Sequence, residues 1–291
     1  MSKLKIGSLC TGYGGLDMAV EAYFNAETVW SCEIDKHASQ VIDQRFHVPN
    51  YGNLIGLEDQ EIEFVDIITA GYPCQPFSQA GHRKGSLDER HIWPFIKNLI
   101  GRIKPKFVIL ENVRGHLSLG FKEVLADLTS IGYDARWEIV RASDIGAPHQ
   151  RARLFVIAYP IDYGCSYWNA IRSQPPFPEF EDDGCLTDTN RHAHKESRRT
   201  HLHIPRETRE IIDRADRNEH RFSLEMDRQE VPDPLVEGKL NARFVEYMMG
   251  LPSGWVTDLI PSRAHQLKML GNGVVPQQAF HALELMLGVK E

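Results

Sequence analysis

The chain has 291 residues, about twice the common domain length, which suits one large α/β domain or a core domain with a smaller partner. With 42% hydrophobic and 25% charged residues it is not collagen-like, broadly disordered or disulfide-dense, and no apolar run reaches the ~18 residues of a membrane span. A net charge of -7 excludes attraction of a nucleic acid by overall charge, so such a partner would need a local basic surface.

Met1 to Cys10 lacks the apolar stretch and cleavage site of a signal peptide, which points to a cytosolic protein. From Lys3 to about Pro160, short apolar or β-branched runs alternate with helical stretches, the pattern of βαβ units. Strands are expected at Lys5 to Cys10, Thr28 to Glu33, Ile67 to Ala70, Phe107 to Glu111, Tyr133 to Val140 and Arg153 to Ala158. Helices are expected at Leu16 to Phe24, Lys36 to Phe46, Ile92 to Ile103 and Lys122 to Ile131. Pro105 ends the third helix, because proline lacks an amide donor and disfavours helix in the residue before it. After Pro160 the chain becomes proline-rich, and residues 189–221 then carry nine Lys or Arg against six Asp or Glu. Near Asn241 it turns apolar and helical again, and Phe280 to Leu287 reads as a closing helix. Residues 1–160, 161–240 and 241–291 are therefore expected as a core domain, an insert and a segment returning to the core.

Four stretches carry chemistry. Ser8 to Asp17 is a glycine turn between strand and helix, where Gly12, Gly14 and Gly15 let backbone approach a nucleotide. Asp17 stands where a dinucleotide fingerprint has its third glycine, which disfavours a nicotinamide enzyme. Glu33, at the end of the next strand, suits ribose hydroxyls, so the pair suggests an adenosine cofactor without a pyrophosphate. Gly71 to Ser78 presents Cys74 between two prolines at a strand's carboxyl end, as either a nucleophile or a small buried hydrophobe. Gly81 to Gly85 adds a cationic loop suited to closing over a polyanion. Glu111 and Asn112 reach the same sheet edge, where a carboxyl is a general acid or a structural one. His149, Arg151 and Arg153 alternate along an extended segment, placing two guanidiniums on one face. Cys10, Cys32, Cys74, Cys165 and Cys185 are odd in number and fit reduced thiols. Cys165, Cys185, His192, His194, His201 and His203 match no compact zinc spacing, so no metal is expected.

In order and spacing, Pro73-Cys74-Gln75, Glu111-Asn112-Val113, His149-x-Arg151-x-Arg153 and Gly271-Asn-Gly-Val-Val-Pro276 resemble the DNA cytosine-5 methyltransferase family of bacterial or phage type. Asn241 to Pro252 is similar to the family segment before the last motif. The resemblance covers roughly 1–160 and 241–291 and makes 161–240 the target-recognition region. It implies a class I S-adenosylmethionine-dependent methyltransferase fold, a Rossmann-like mixed sheet with a small recognition domain. It also implies methyl transfer from S-adenosyl-L-methionine to carbon 5 of a cytosine flipped out of duplex DNA, because an enzyme cannot reach the ring inside the stack.

In that reading Cys74 attacks carbon 6, Glu111 holds the ring nitrogen, Arg153 binds the base carbonyl and Arg151 helps to fix Glu111 or neighbouring loops. The cofactor falls to Leu9, Cys10, Thr11, Gly12, Gly14, Gly15, Leu16, Glu33, Ile34, Asn53, Pro73, Asn272 and Val274. DNA falls to Gln75, Ser78, Arg83, Lys84, Arg198 and Arg199. The chain departs from the family at Cys10, where a Phe is common, at Gly52-Asn53, where Gly-Asp is common, and at His149, often Gln. The resemblance leaves room for a cognate restriction endonuclease acting separately. It also leaves two alternatives: the same chemistry on transfer RNA, disfavoured because no Cys-Phe-Thr element occurs, and a silent DNA-binding relative, disfavoured by the intact Cys74, Glu111, Arg151 and Arg153. A monomer in the cytoplasm of a bacterial or phage-infected cell, associated with the nucleoid, is expected.

Overall fold

The computed structural model describes residues 3–73, 92–161 and 230–287. One sheet contains β1 (Leu4–Leu9), β2 (Ala26–Cys32), β3 (Ile67–Ala70), β4 (Phe107–Val113), β5 (Tyr133–Val140) and β6 (Arg153–Pro160), in the order β2-β1-β3-β4-β6-β5. β2, β1, β3 and β4 are parallel, and β6 runs antiparallel to both β4 and β5. All six were expected, with ends within two residues of those observed.

Period-two side-chain alternation makes two cores from these strands. Val108 and Leu110 of β4, with Leu154 and Val156 of β6, face α3 (Trp93–Ile103) and α4 (Phe121–Ser130). Phe107, Ile109, Phe155 and Ile157 face the other way, toward α1 (Gly15–Phe24) and α7 (Pro276–Leu287). α3 stops where Lys104, in the left-handed region at φ 52°, donates its amide to the Ile100 carbonyl just before Pro105. α2 (Lys36–Arg45) starts on Asp35, whose carboxylate accepts the amides of His37 at 2.9 Å and Ala38 at 3.2 Å.

Three elements were not foreseen. β7 (Leu235–Val236) and β8 (Lys239–Leu240) form a hairpin through Glu237-Gly238, both at positive φ as a tight two-residue turn requires. α6 (Arg263–Asn272) has a weakly patterned sequence and only Met269 and Leu270 buried, so periodicity does not reveal it. α7 begins at Pro276, earlier than expected, because proline is tolerated in a first helical turn.

The return segment is tied to the first half of the chain by polar contacts around α5 (Ala242–Met248). Buried Glu246 accepts the amides of Gly254 at 2.8 Å, Val256 at 2.6 Å and Thr257 at 2.9 Å. Beside that loop, the Trp255 indole donates to the Tyr13 carbonyl at 2.9 Å, and Arg45 lies over the indole at 5.1 Å. Tyr13, Val41, Leu251, Ile260 and Leu270 close the third core over these contacts.

Gly7 of β1 meets the Trp30 ring of β2 so closely that a Cβ would lie 2.1 Å from it. Gly7→Ala is expected to destabilise the protein by roughly 1–3 kcal/mol through overpacking, measured as a lower urea midpoint at unchanged slope.

Candidate active site

The carboxyl ends of β1, β3 and β4 open into a cavity of about 470 Å³, the place where open α/β sheets bind ligands. Leu9, Cys10, Thr11, Gly12 and Leu16 line it from the first turn, Glu33 from the end of β2, and Pro73 from the end of β3. Asn272 and Val274 close it from the return segment. Gly12, at φ 58°, has open space where a Cβ would stand, so bare backbone faces the cavity. Glu33 accepts the Gly12 amide at 2.9 Å and the Asp35 amide at 2.8 Å, which fixes its carboxylate while lone pairs remain for hydroxyl donors. Bare backbone, an anchored acid and apolar walls fit an adenosine-type group.

Four expected cofactor residues are not among the cavity's lining. Gly14 and Gly15 serve packing: a Cβ on Gly14 would meet the Phe46 ring at 2.2 Å, and one on Gly15 the Val274 carbonyl at 2.2 Å. Asn53 is exposed, and its side-chain oxygen accepts the Ile55 amide at 3.0 Å. Ile34 projects outside with 77% of its surface exposed, between two residues that do line the cavity.

At the far wall, Glu111 from β4 and Arg153 from β6 pair at 3.0 Å, and both line the cavity. Burial pushes the Glu111 carboxyl up to about 7, while Arg153 and then Arg151 pull it down. Its second oxygen lies 3.6 Å from where a Gly71 side chain would begin. Asn112 donates to the Tyr72 carbonyl at 3.0 Å, and the Tyr72 hydroxyl meets the buried His116 ring at 2.9 Å. These bonds hold the backbone two residues before Cys74. Cys74, Gln75, Ser78, Arg83, Lys84, Arg198 and Arg199 lie outside the described residues, as do the cysteines and histidines weighed for zinc. Of the described cysteines, burial raises both Cys10 and Cys32, the latter to about 12, so neither is a ready thiolate at neutral pH.

The expectation that His149, Arg151 and Arg153 share one extended face is corrected. Arg151 adopts φ 32°, outside extended backbone, which breaks the alternation. Its guanidinium donates to the Gly271 carbonyl at 2.9 Å and to that of Gly273, instead of entering the cavity. His149 meets the Met248 carbonyl at 2.9 Å. Gln278, fully buried on α7, holds this loop by donating to the Val140 and Arg151 carbonyls, each at 2.8 Å. No motif pointed to Gln278; a glutamine on the apolar face of a closing helix was its only signal. Asp17, Thr69, Asn112, His265 and Lys268 also line the cavity, though sequence reasoning gave them no binding role.

Three outcomes follow. Arg153→Leu removes the closest cation and is expected to move the Glu111 carboxyl above 7, read by carbon NMR of the labelled side chain; an unchanged titration would refute the pairing. Because the folded value exceeds the ordinary 4.5, the stability Glu111 contributes is complete below pH 4.5 and is lost as pH rises through about 7. Denaturation midpoints of Glu111→Gln should therefore decline less over that range than wild type. Gln278→Leu leaves the buried Val140 carbonyl and the half-buried Arg151 carbonyl without this donor and should cost roughly 1–3 kcal/mol in urea unfolding.

The C-5 cytosine-specific DNA methylase family model matches residues 4–232, continuing past Pro160, where the motif resemblance pauses, and ending before the return segment. The type II methyltransferase M.BsuFI of Bacillus subtilis is 30% identical over 178 residues, 60% of this chain and 43% of that one. M.DsaV of Dactylococcopsis salina is 32% identical over 162 residues, 54% of this chain and 46% of that one. The chain spans about half the length of the curated relatives it matches. The crystal structure of the Dnmt2 methyltransferase of S. pombe superposes with a TM-score of 0.60 at 17% identity, covering 99% of this chain and all of that one. That likeness is one of fold, the class I S-adenosylmethionine-dependent methyltransferase fold with its mixed sheet. On the extent of the family match, the chain belongs to the C-5 cytosine-specific DNA methylases.

Proposed function

We propose that the protein methylates carbon 5 of cytosine within a specific duplex DNA sequence. The observation that carries this reading is Glu111, buried, raised to about 7 and paired with Arg153, on the cavity wall beside Gly71, three residues before Cys74 in the sequence. S-adenosylmethionine, when bound, supplies the methyl group. Leu9 to Gly12 would flank its amino-acid end, Glu33 would accept its ribose hydroxyls, and exposed Ile34 offers an apolar surface for a flat purine. Asn53 would serve through its side-chain amide, and Gly14 and Gly15 by shaping the turn.

Cys74 as thiolate adds to carbon 6 of a flipped cytosine, which makes carbon 5 nucleophilic, and splitting the reaction through this adduct lowers each barrier. Glu111, near its titration point at neutral pH, can hold a proton at the ring nitrogen. Arg153 binds the carbonyl oxygen and anchors Glu111. Arg151 acts at a distance, tying the loop before β6 to the Gly271–Gly273 turn. After methyl transfer, loss of the carbon 5 proton expels Cys74 and restores the aromatic ring.

Residues 1–160 and 241–291 would form the catalytic domain, a division supported by α7 packing on α1 and β5. Residues 161–240 would read the target, with Arg198 and Arg199, together with Gln75, Ser78, Arg83 and Lys84, on the DNA. The protein would act as a monomer in the cytoplasm of a bacterial or phage-infected cell, on nucleoid DNA, alongside any separate cognate endonuclease. Among the described residues, no helix is long and apolar enough to cross a membrane.

The test is transfer of labelled methyl from S-adenosylmethionine to mixed-sequence duplex DNA and, separately, to transfer RNA. Label is expected in DNA alone, absent with Cys74→Ser, and bisulfite sequencing then reads the site. Label confined to RNA would overturn the DNA assignment. DNA affinity should fall steeply with salt, as counterion release requires.

A further inference from the structure

Asp17, in the first turn of α1, is 1% exposed and lines the cavity. Its carboxyl accepts from the Thr69 hydroxyl at 2.5 Å and has the Ser8 hydroxyl as a second partner. The Ser8 hydroxyl also lies 2.9 Å from that of Thr11, and the side chains that β1 and β3 offer this acid, Ser8 and Thr69, are neutral. Among the described residues, no Lys, Arg or His forms an ion pair with Asp17. Arg153 is engaged by Glu111, and Lys268 lies 3.6 Å from Asp35.

The other titratable or charged groups lining the cavity are Cys10 after β1, Glu33 and Asp35 after β2, His37 on α2, Tyr72 after β3, Glu111 on β4, Arg153 on β6, and His265 and Lys268 on α6. Glu21, on Asp17's own helix, opposes its ionisation. On the opposite side of α1, α7 contributes the Phe280 ring, 5.4 Å from Tyr23. A buried carboxylate without a counter-charge is costly, and hydroxyl donors offset only part of that cost. A cavity that carries such an acid in its wall is complementary to a cationic group.

We propose that Asp17 is the buried counter-ion for the α-ammonium of S-adenosylmethionine, and that binding ionises its carboxyl with release of a proton to solvent. The inference rests on the cavity being the S-adenosylmethionine site. The ammonium is assigned because Ser8, Thr11 and Asp17 surround the glycine turn, where the amino-acid end is expected, whereas Glu33 stands toward the ribose. The proton leaves from the carboxyl, the ammonium keeps its own, and no covalent bond changes. Burial pushes Asp17 up to about 7, so at neutral pH a large fraction is protonated and available for release. Because binding favours the ionised form, affinity is lower below that pH and rises through it before levelling.

Titration calorimetry at pH 6.5, in buffers of different ionisation heat, reads the protons released. The probes are S-adenosylmethionine; S-adenosylhomocysteine, which keeps the ammonium and lacks the sulfonium; and methylthioadenosine, which lacks both. Release is expected with the first two and not with the third, and affinity for S-adenosylhomocysteine should rise severalfold from pH 6 to pH 8. Asp17→Asn should abolish the release and flatten the pH dependence, while Glu111→Gln, which removes the other raised acid, should retain both.

Release that survives in Asp17→Asn, or vanishes in Glu111→Gln, overturns the assignment. Release with S-adenosylmethionine alone overturns the ammonium in favour of the sulfonium. Should Asp17→Asn fail to fold, the three-ligand comparison in wild type and Glu111→Gln decides. If S-adenosylmethionine does not bind wild type at all, the cofactor reading of the cavity fails with it, whereas binding without proton release refutes only the role of Asp17.

Discussion

The antiparallel seam between β4 and β6 is the constraint on which the site depends. Its register sets Val113 opposite Arg153 and Glu111 opposite Phe155, so the acid near the end of one strand meets the guanidinium at the start of the other. Were β6 parallel to β4 like the other neighbours, its first residue would lie at the far edge of the sheet. The reversal puts a strand's beginning on the ligand-binding edge and gives Glu111 a cation without a loop having to deliver one. Buried pairs of this kind are poor sources of net stability, because desolvation offsets much of the attraction. Their value here is chemical: burial and pairing together hold a carboxyl near neutrality.

A second constraint is polar and joins ends of the chain far apart in sequence. The Tyr13 hydroxyl donates to the Val274 carbonyl at 2.6 Å, Arg151 donates to Gly271 and Gly273, and Gln278 supports Arg151. Gly273 must be glycine because a Cβ there would lie 1.9 Å from the Tyr13 ring. The glycine turn, the loop before β6 and the return segment are thereby coupled, and Arg151 acts as a brace between them. Backbone carbonyls meet at this junction, that of Val274 buried, and side chains from all three segments supply their donors.

The cavity combines these features into a polarised site. One side has Asp17 with hydroxyls and the anchored Glu33, and the opposite wall has the Glu111–Arg153 pair. At the rim, His37 and His265 stack with ring centres 4.1 Å apart, and Lys268 faces Asp35. An acid-rich pocket suits a cationic small molecule, while a polyanion would be met outside it, consistent with a chain whose net charge is negative.

Six strands and the four helices between them were readable in order from the sequence, because a sheet covered on both faces needs short apolar runs and amphipathic helices whatever lies elsewhere in the chain. The place of Glu111, Arg153, Glu33 and the first turn on the cavity was also legible, since each sits at one end of such a run. Other roles depended on tertiary structure. That Gly14 and Gly15 pack against Phe46 and Val274, that Arg151 leaves the extended face, and that Gln278 supports it all depend on segments distant in the sequence or on a single backbone torsion. Local pattern determines which residues form an element and which face is apolar. Whether a polar side chain on that element meets ligand, backbone or another charge is decided only when distant segments close the same space.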